Sequence, residues 1–424
     1  MSASLFLLAA AATASPPAPQ EPAAPPVLVK LLASDRFETA KAALRADHAR
    51  LVDEIIALTE IPAPPFGESE RGRAFADLMR KSGFADVTTD AVGNVVANRP
   101  GRNRKLGPLI VAAHLDTVFP KGTDVTVKRE GTRLMAPGIG DDSRGLAVLL
   151  AFHRALDKAG IETDRDIMFV GNVGEEGPGD LRGMRHLFGE GQPGRKAAAF
   201  ISIDSSGAET IVTRGVGSRR HHIIFNGPGG HSFDKFGIVN PMVPLAKTVT
   251  GLYTITVPGD PRTTYSASVV GGGTSVNTIP PRVFLDVDIR SVSPAEVERV
   301  DGELRAIVDR AVAEENATRD TSRGTVSVTF ERIGERPAGQ TDEKAGLGAL
   351  AFAASRAFGY KTRFIPVSTD ANVPMNLGIP AIAIGSGGSG GAEHSPDEWI
   401  DVEIEESVRG MSAGLATVIA AASR

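Results

Sequence analysis

Residues 107–118 read GPLIVAAHLDTV, a continuous apolar run that meets His114 and Asp116 at its end. The same arrangement recurs in DIMFVGNVGEE (166–176), AAAFISIDSS (197–206) and PAIAIGSGG (380–388). Unbroken short apolar runs suit strands buried on both faces, as in the interior of a parallel sheet covered by helices. Amphipathic spacing between the runs predicts helices over Ser143–Ala159, Leu181–Phe188, Leu347–Phe358 and Val402–Ala422. Upstream, Phe37–Ile61 reads as one helix ended by Pro62, Pro64 and Pro65, and Glu68–Lys81 as another. Alternating strands and helices specify an α/β fold with a mainly parallel central sheet flanked by helices. Ligands of such sheets gather beyond the carboxyl ends of the strands, where His114, Glu175, Glu176 and Asp204 fall.

From Arg214 to Glu331 the pattern changes. RRHHIIFNG, TYSASVVGG, RVFLDVDIR and TVSVTFERI alternate as half-exposed strands do, and helices are expected over Pro241–Tyr253 and Pro294–Ala313. The order β-α-β-β-α-β predicts a ferredoxin-like domain inserted into the first one. The expected divisions are residues 28–213 and 332–424 for a catalytic metal-binding domain and 214–331 for the insert.

The first 27 residues stand apart. Leu5–Ala12 is apolar, Ala12-Thr13-Ala14 has the small-x-small form of a signal-peptidase site, and a Pro/Ala-rich linker follows. The apolar run is too short to cross a bilayer, which needs about 20 residues. Export to a periplasm or out of the cell is the expectation, with the cytoplasm the alternative if the leader is not a signal. There is no cysteine, which excludes disulfides and thiolate chemistry. A net charge of -5 gives no support to nucleic-acid binding.

The candidate chemistry is carried by His114 and Asp116 (H-x-D), Asp141 and Asp142 in PGIGDDSRG, the pair Glu175 and Glu176, Asp204, and His394 in GGAEHSPDEW. One of the two aspartates before the apolar helix serves as its cap; the loop has a second to spare. Imidazole and carboxylate ligands without thiolate suit Zn²⁺, Mn²⁺ or Co²⁺. A bidentate carboxylate can be shared by two ions about 3.5–4 Å apart. The GxSxG pattern at Gly387–Gly391 lacks the helix that a nucleophile elbow needs. Trp399 reads as a core residue.

The segments AAHLDTV, GIGDDSRG, GNVGEEG, ISIDSS, GGHS, GGGTSVNTIP and GGAEHSPDE, in this order, resemble the M20 metallopeptidase family, which includes amidohydrolases and deacylases. The resemblance spans essentially the whole chain after the leader. It implies two divalent metal ions, Zn²⁺ foremost with Co²⁺ or Mn²⁺ as alternatives. His114 and Asp204 would bind one, Glu176 and His394 the other, and Asp141 would bridge them, with a cis peptide after Asp141. Asp116 would orient His114 through its second ring nitrogen. Glu175 would be the general base acting on the water shared by the metals. His231 would reach the partner subunit's site and stabilise the oxyanion, implying a homodimer through residues 214–331. Asn277, Arg290, Gly387 and Gly388 would bind substrate. The resemblance puts Asp at 204 with aminopeptidase and dipeptidase members, where carboxypeptidase-like and deacylase-like members usually have Glu, and HLDTVFP and STDAN (368–372) are similar to the tripeptide-aminopeptidase and glutamate-carboxypeptidase branches. The implied activity is an exopeptidase acting at the amino end of short peptides; the alternative is a carboxypeptidase or a deacylase of N-acylated amino acids.

Overall fold

The computed structural model describes residues 24–423; the expected signal sequence lies outside them. A nine-stranded sheet forms the larger domain. Its centre is parallel: Ile167–Asn172, Leu109–His114, Ala199–Ile203 and Ala381–Ile384 lie side by side in that order. Both flanks are antiparallel, through Val95–Arg99 on one side and Thr210–Gly215 on the other. The expectation of a mainly parallel sheet thus holds at the centre, and the sheet as a whole is mixed.

The apolar runs are continuous because both faces of these strands are covered. Leu109, Val111 and Ala113 pack into one core with Leu146, Leu149 and Phe152 of the helix Arg144–Lys158, whereas Ile110 and Ala112 pack into a second with Met184 and Phe188. The helix expected over Phe37–Ile61 is two, Asp35–Ala46 and His48–Thr59. They meet at Asp47, whose carboxylate accepts a hydrogen bond from Arg154 Nε at 2.7 Å. A further helix, Pro26–Leu32, begins within the segment read as linker and buries Leu28.

The smaller domain is a four-stranded antiparallel sheet in the order Thr263–Gly272, Arg282–Ser291, Gly217–Asn226, Ser327–Arg336. Helices Met242–Leu252 and Pro294–Thr318 cover one face. Val283, Leu285, Val287 and Ile289 all point into that core, which is the strict alternation a one-faced sheet requires. The β-α-β-β-α-β order is as expected from the sequence. Chain passes between the domains at Val216 and again at Pro337-Ala338.

A third, small sheet joins Ser389–Gly391, Trp399–Asp401, Arg133–Met135 and Lys128–Glu130. Trp399 lies in it, only partly buried, with the Arg133 guanidinium 4.0 Å from its ring centre, so it is not the core residue expected. No helix among the described residues is long and apolar enough to cross a membrane.

Candidate metal centre

The parallel strands end where chemistry collects. His114 is the last residue of its strand, Asp204 follows Ile203, and Glu175 and Glu176 lie just beyond Asn172. His394 comes from the loop joining Ser389–Gly391 to Trp399–Asp401, at a left-handed φ of 61°. The peptide Asp141–Asp142 is cis.

Asp141 is central to the group. Its Oδ1 lies 2.8 Å from His114 Nε2 and its Oδ2 lies 3.0 Å from His394 Nε2. His394 Nε2 is also 3.0 Å from Glu176 Oε1. Ligand atoms of His114, Asp141 and Glu176 fall within 4.8 Å of one another. Asp204 lines the same cavity of about 530 Å³ as Asp141, Glu175, Glu176 and His394.

Burial raises Asp204 and Asp142 well above the ordinary carboxylate range, assisted by the charge on Asp141, and it raises Glu176 to about 7. Burial also opposes charge on Asp141, but hydrogen bonds from His114 and His394 outweigh it and hold Asp141 below its ordinary range. Those same contacts to Asp141 and Glu176 push His394 up to about 11. So much buried acid around two imidazoles calls for positive charge. Two divalent cations fit that demand, and the donor set of two imidazoles and three carboxylates suits them. His114, Asp141, Asp204, Glu176 and His394 would hold them.

Three buried carboxylates fix the backbone behind these side chains. Asp116 accepts hydrogen bonds from the N–H groups of Glu175 (3.0 Å) and Glu176 (2.8 Å). Asp142 accepts from His114 N at 3.0 Å and from Gly145 N at 3.2 Å, so it is the capping aspartate and Asp141 the free one. Glu398 accepts from Gly138, Gly140 and Asp141 at 2.7–2.9 Å. His114 Nδ1 meets the backbone carbonyl of Asp116 at 3.0 Å; the Asp116 carboxylate is 3.7 Å away. Asp116 therefore orients His114 by its carbonyl, and its carboxylate is spent on the glutamate pair.

Other expected residues fall differently. Arg290 lines the cavity from the smaller domain together with Arg220. Asp288 grips both, accepting from Arg220 Nε at 3.1 Å and from Arg290 Nε at 2.7 Å. His231 and Asn277 do not line it. His231 sits on a short two-stranded antiparallel ribbon, Gly230–His231 against Thr278–Ile279, with its side chain half exposed, and Asn277 Oδ1 accepts from Ser275 Oγ. Gly387 and Gly388 have left-handed φ of 82° and 64°. A Cβ on Gly388 would lie 2.5 Å from Arg144 Nη2, so close packing already explains that glycine.

Sequence reasoning missed Glu398, Arg336 and Asp370. Glu398 was within a quoted motif, four residues past His394. Asp370 was within STDAN; it accepts from Asn172 Nδ2 at 2.7 Å, and burial raises it to about 8. Arg336 meets Glu175 across 161 residues of chain, and no local pattern marks such a contact.

Comparison with known proteins agrees with this geometry. Residues 110–420 match the model of peptidase family M20/M25/M40. The uncharacterized protein YqjE of Bacillus subtilis (strain 168) is 24% identical over 281 residues, 62% of this chain and 72% of that protein. Carboxypeptidase G2 of Pseudomonas sp. (strain RS-16) is 26% identical over 257 residues, 58% of this chain and 59% of that one. The crystal structure of aminopeptidase PepT from Bacillus cereus ATCC 10987 superposes with a TM-score of 0.71 at 21% identity, over 89% of this chain and 99% of that one, a likeness of fold. With the ligand set assembled and most of its length matched, the chain belongs to peptidase family M20/M25/M40 and is a metal-dependent hydrolase.

Proposed function

We propose that the protein is a two-metal exopeptidase that removes residues from the amino end of short peptides. The observation that carries this reading is the polarity of the cavity. Asp141, Glu175, Glu176, Asp204 and Glu393 line it from the larger domain, and Arg220 and Arg290 from the smaller. With Asp141, Glu176 and Asp204 given to the cations and Glu175 to the proton, Glu393 remains on the acidic side for a free α-ammonium group, and the guanidinium groups suit a carboxylate. A short zwitterionic peptide complements both.

When bound, the two cations, Zn²⁺ foremost, would polarise the scissile carbonyl and acidify the attacking water. Glu175 accepts the proton of that water and delivers it to the nitrogen of the leaving amine. Arg290 and Arg220 orient the far end of the substrate. His231 and Asn277 are assigned to the site of a second subunit, where His231 would donate to the oxyanion. Exposure of Phe233 (84%) and Phe236 (88%) beside His231 supports a partner on that surface. The Leu5–Ala12 leader supports export, which the amino-terminal sequence of the mature protein would test.

A second reading is a carboxypeptidase or a deacylase of N-acylated amino acids. The Arg220–Asp288–Arg290 group favours it, because a carboxylate beside the scissile bond would also dock there. Metal-reconstituted protein assayed on free, N-blocked and C-amidated tripeptides separates the two. Hydrolysis of free-amino tripeptides, weakened by C-amidation and abolished by N-acetylation, is expected; preference for N-blocked peptides with a free carboxylate overturns the aminopeptidase reading.

A further inference from the structure

A carboxylate that acts as base beside two cations has a positional problem. Asp141, Glu176 and Asp204 would be held by the ions they bind, but a base bound in the same way would lose its function. Something else must fix Glu175. In this fold its main chain is tied at one end by Asp116, which accepts from the Glu175 N–H. The rest of the residue is gripped by one guanidinium. Arg336 Nη1 donates to Glu175 Oε1 at 3.0 Å, and Nη2 donates to the Glu175 backbone carbonyl. Arg336 Nη1 also reaches Ser368 Oγ at 3.2 Å. Arg336 and Glu175 are each only 7% exposed at the side chain, so the pair is shielded from competing water.

The grip is selective between the two oxygens. Among the described residues only Oε1 of Glu175 receives a hydrogen bond, which leaves Oε2 to meet water and the leaving amine. A forked donor can hold a carboxylate oxygen and a carbonyl together and so fix the side-chain torsions. The position of Arg336 is itself set by the sheet. It ends the strand Ser327–Arg336, paired with Ser218, and three residues later Gly339 pairs with Gly215 of the larger domain's sheet. Arg336 therefore stands where the smaller domain rejoins the larger.

We propose that Arg336 is the positioning residue for the general base, holding Glu175 by Oε1 and by its carbonyl so that Oε2 faces the reacting water. The proposal rests on Glu175 being the base. Arg336 also lines the cavity and its Nε has no partner among the described residues, but Nη1 and Nη2 are already committed to three oxygens, which disfavours docking of a substrate carboxylate there.

The test compares Arg336→Ala, Arg336→Lys and Glu175→Ala as metal-reconstituted full chains, on whichever amide substrate the wild type cleaves. Metal content, kcat, KM and rescue by added methylguanidinium are measured. Displacing a reacting group by about 1 Å costs on the order of a hundredfold, so kcat of Arg336→Ala should fall by about that factor. KM should stay within about threefold, since ground-state binding is untouched. Both metals should remain, and methylguanidinium should restore part of the activity of Arg336→Ala and none to Glu175→Ala. Arg336→Lys keeps a buried cation and so spares the fold; lacking the fork, it should lose about tenfold in kcat, which is about 1.4 kcal/mol. Retention of kcat within about threefold in either variant overturns the proposal. So does a raised KM at unchanged kcat, or loss of metal in step with activity. Full activity in Glu175→Ala would instead remove the base assignment itself.

Discussion

At the scale of residues, the site divides labour among carboxylates of similar chemistry. Asp141, Glu176 and Asp204 present oxygens to the cavity, whereas Asp116, Asp142 and Glu398 turn theirs on backbone N–H groups of the ligand-bearing loops. Glu398→Ala would leave three N–H groups without their acceptor. Stability should fall by about 3 kcal/mol, read from the shift in urea midpoint. Asp116→Asn replaces one of two acceptors with a donor that faces an N–H. Metal affinity should drop about 10–100-fold, measured by competition with a chelator. The residue types and their order exposed the candidate ligands, because a metal needs a fixed chemical set on neighbouring strand ends. The supporting groups were less visible. Glu398 and Asp142 act on main-chain atoms, and Arg336 acts over a distance in sequence that carries no periodic signature.

At the scale of elements, the apolar strands were legible because burial on both faces writes itself as an unbroken run. Phe169, in the strand Ile167–Asn172, is fully buried and meets the Phe84 ring edge-on at 5.1 Å. Phe169→Ala should cost about 3–5 kcal/mol, measured as the change in unfolding free energy. The inserted domain was legible for the opposite reason: its sheet is covered on one face, and the strand Arg282–Ser291 alternates strictly. Illegible elements were short or interrupted. The strands Arg133–Met135 and Trp399–Asp401 have three residues each, too few to show a period. Apolar spacing ran straight through Asp47, where a tertiary contact to Arg154 marks the junction of two helices.

At the scale of the whole molecule, the buried acid at the centre ties stability to pH and to metal. Burial raises Asp116 to about 6, Glu398 to about 7 and Asp370 to about 8. A carboxylate raised in the folded state supports folding below its unfolded pKa, and that support is lost as pH climbs through the folded value. His394, raised to about 11, acts in the same direction, losing its contribution only above the ordinary histidine range. The metal-free protein should therefore unfold at lower temperature at pH 8 than at pH 5. Cations that bind the folded site should restore much of that loss, growing with the logarithm of their concentration over Kd. Thermal scans with and without Zn²⁺ check both signs. In the proposed mechanism the adjacent pair divides the work, Glu176 to hold metal and Glu175 to move the proton. Its most direct test is the metal content and turnover of Glu175→Ala reconstituted beside the wild type. Two metals per chain with turnover reduced by at least about a hundredfold is the predicted result; wild-type turnover, or loss of a metal, would contradict it.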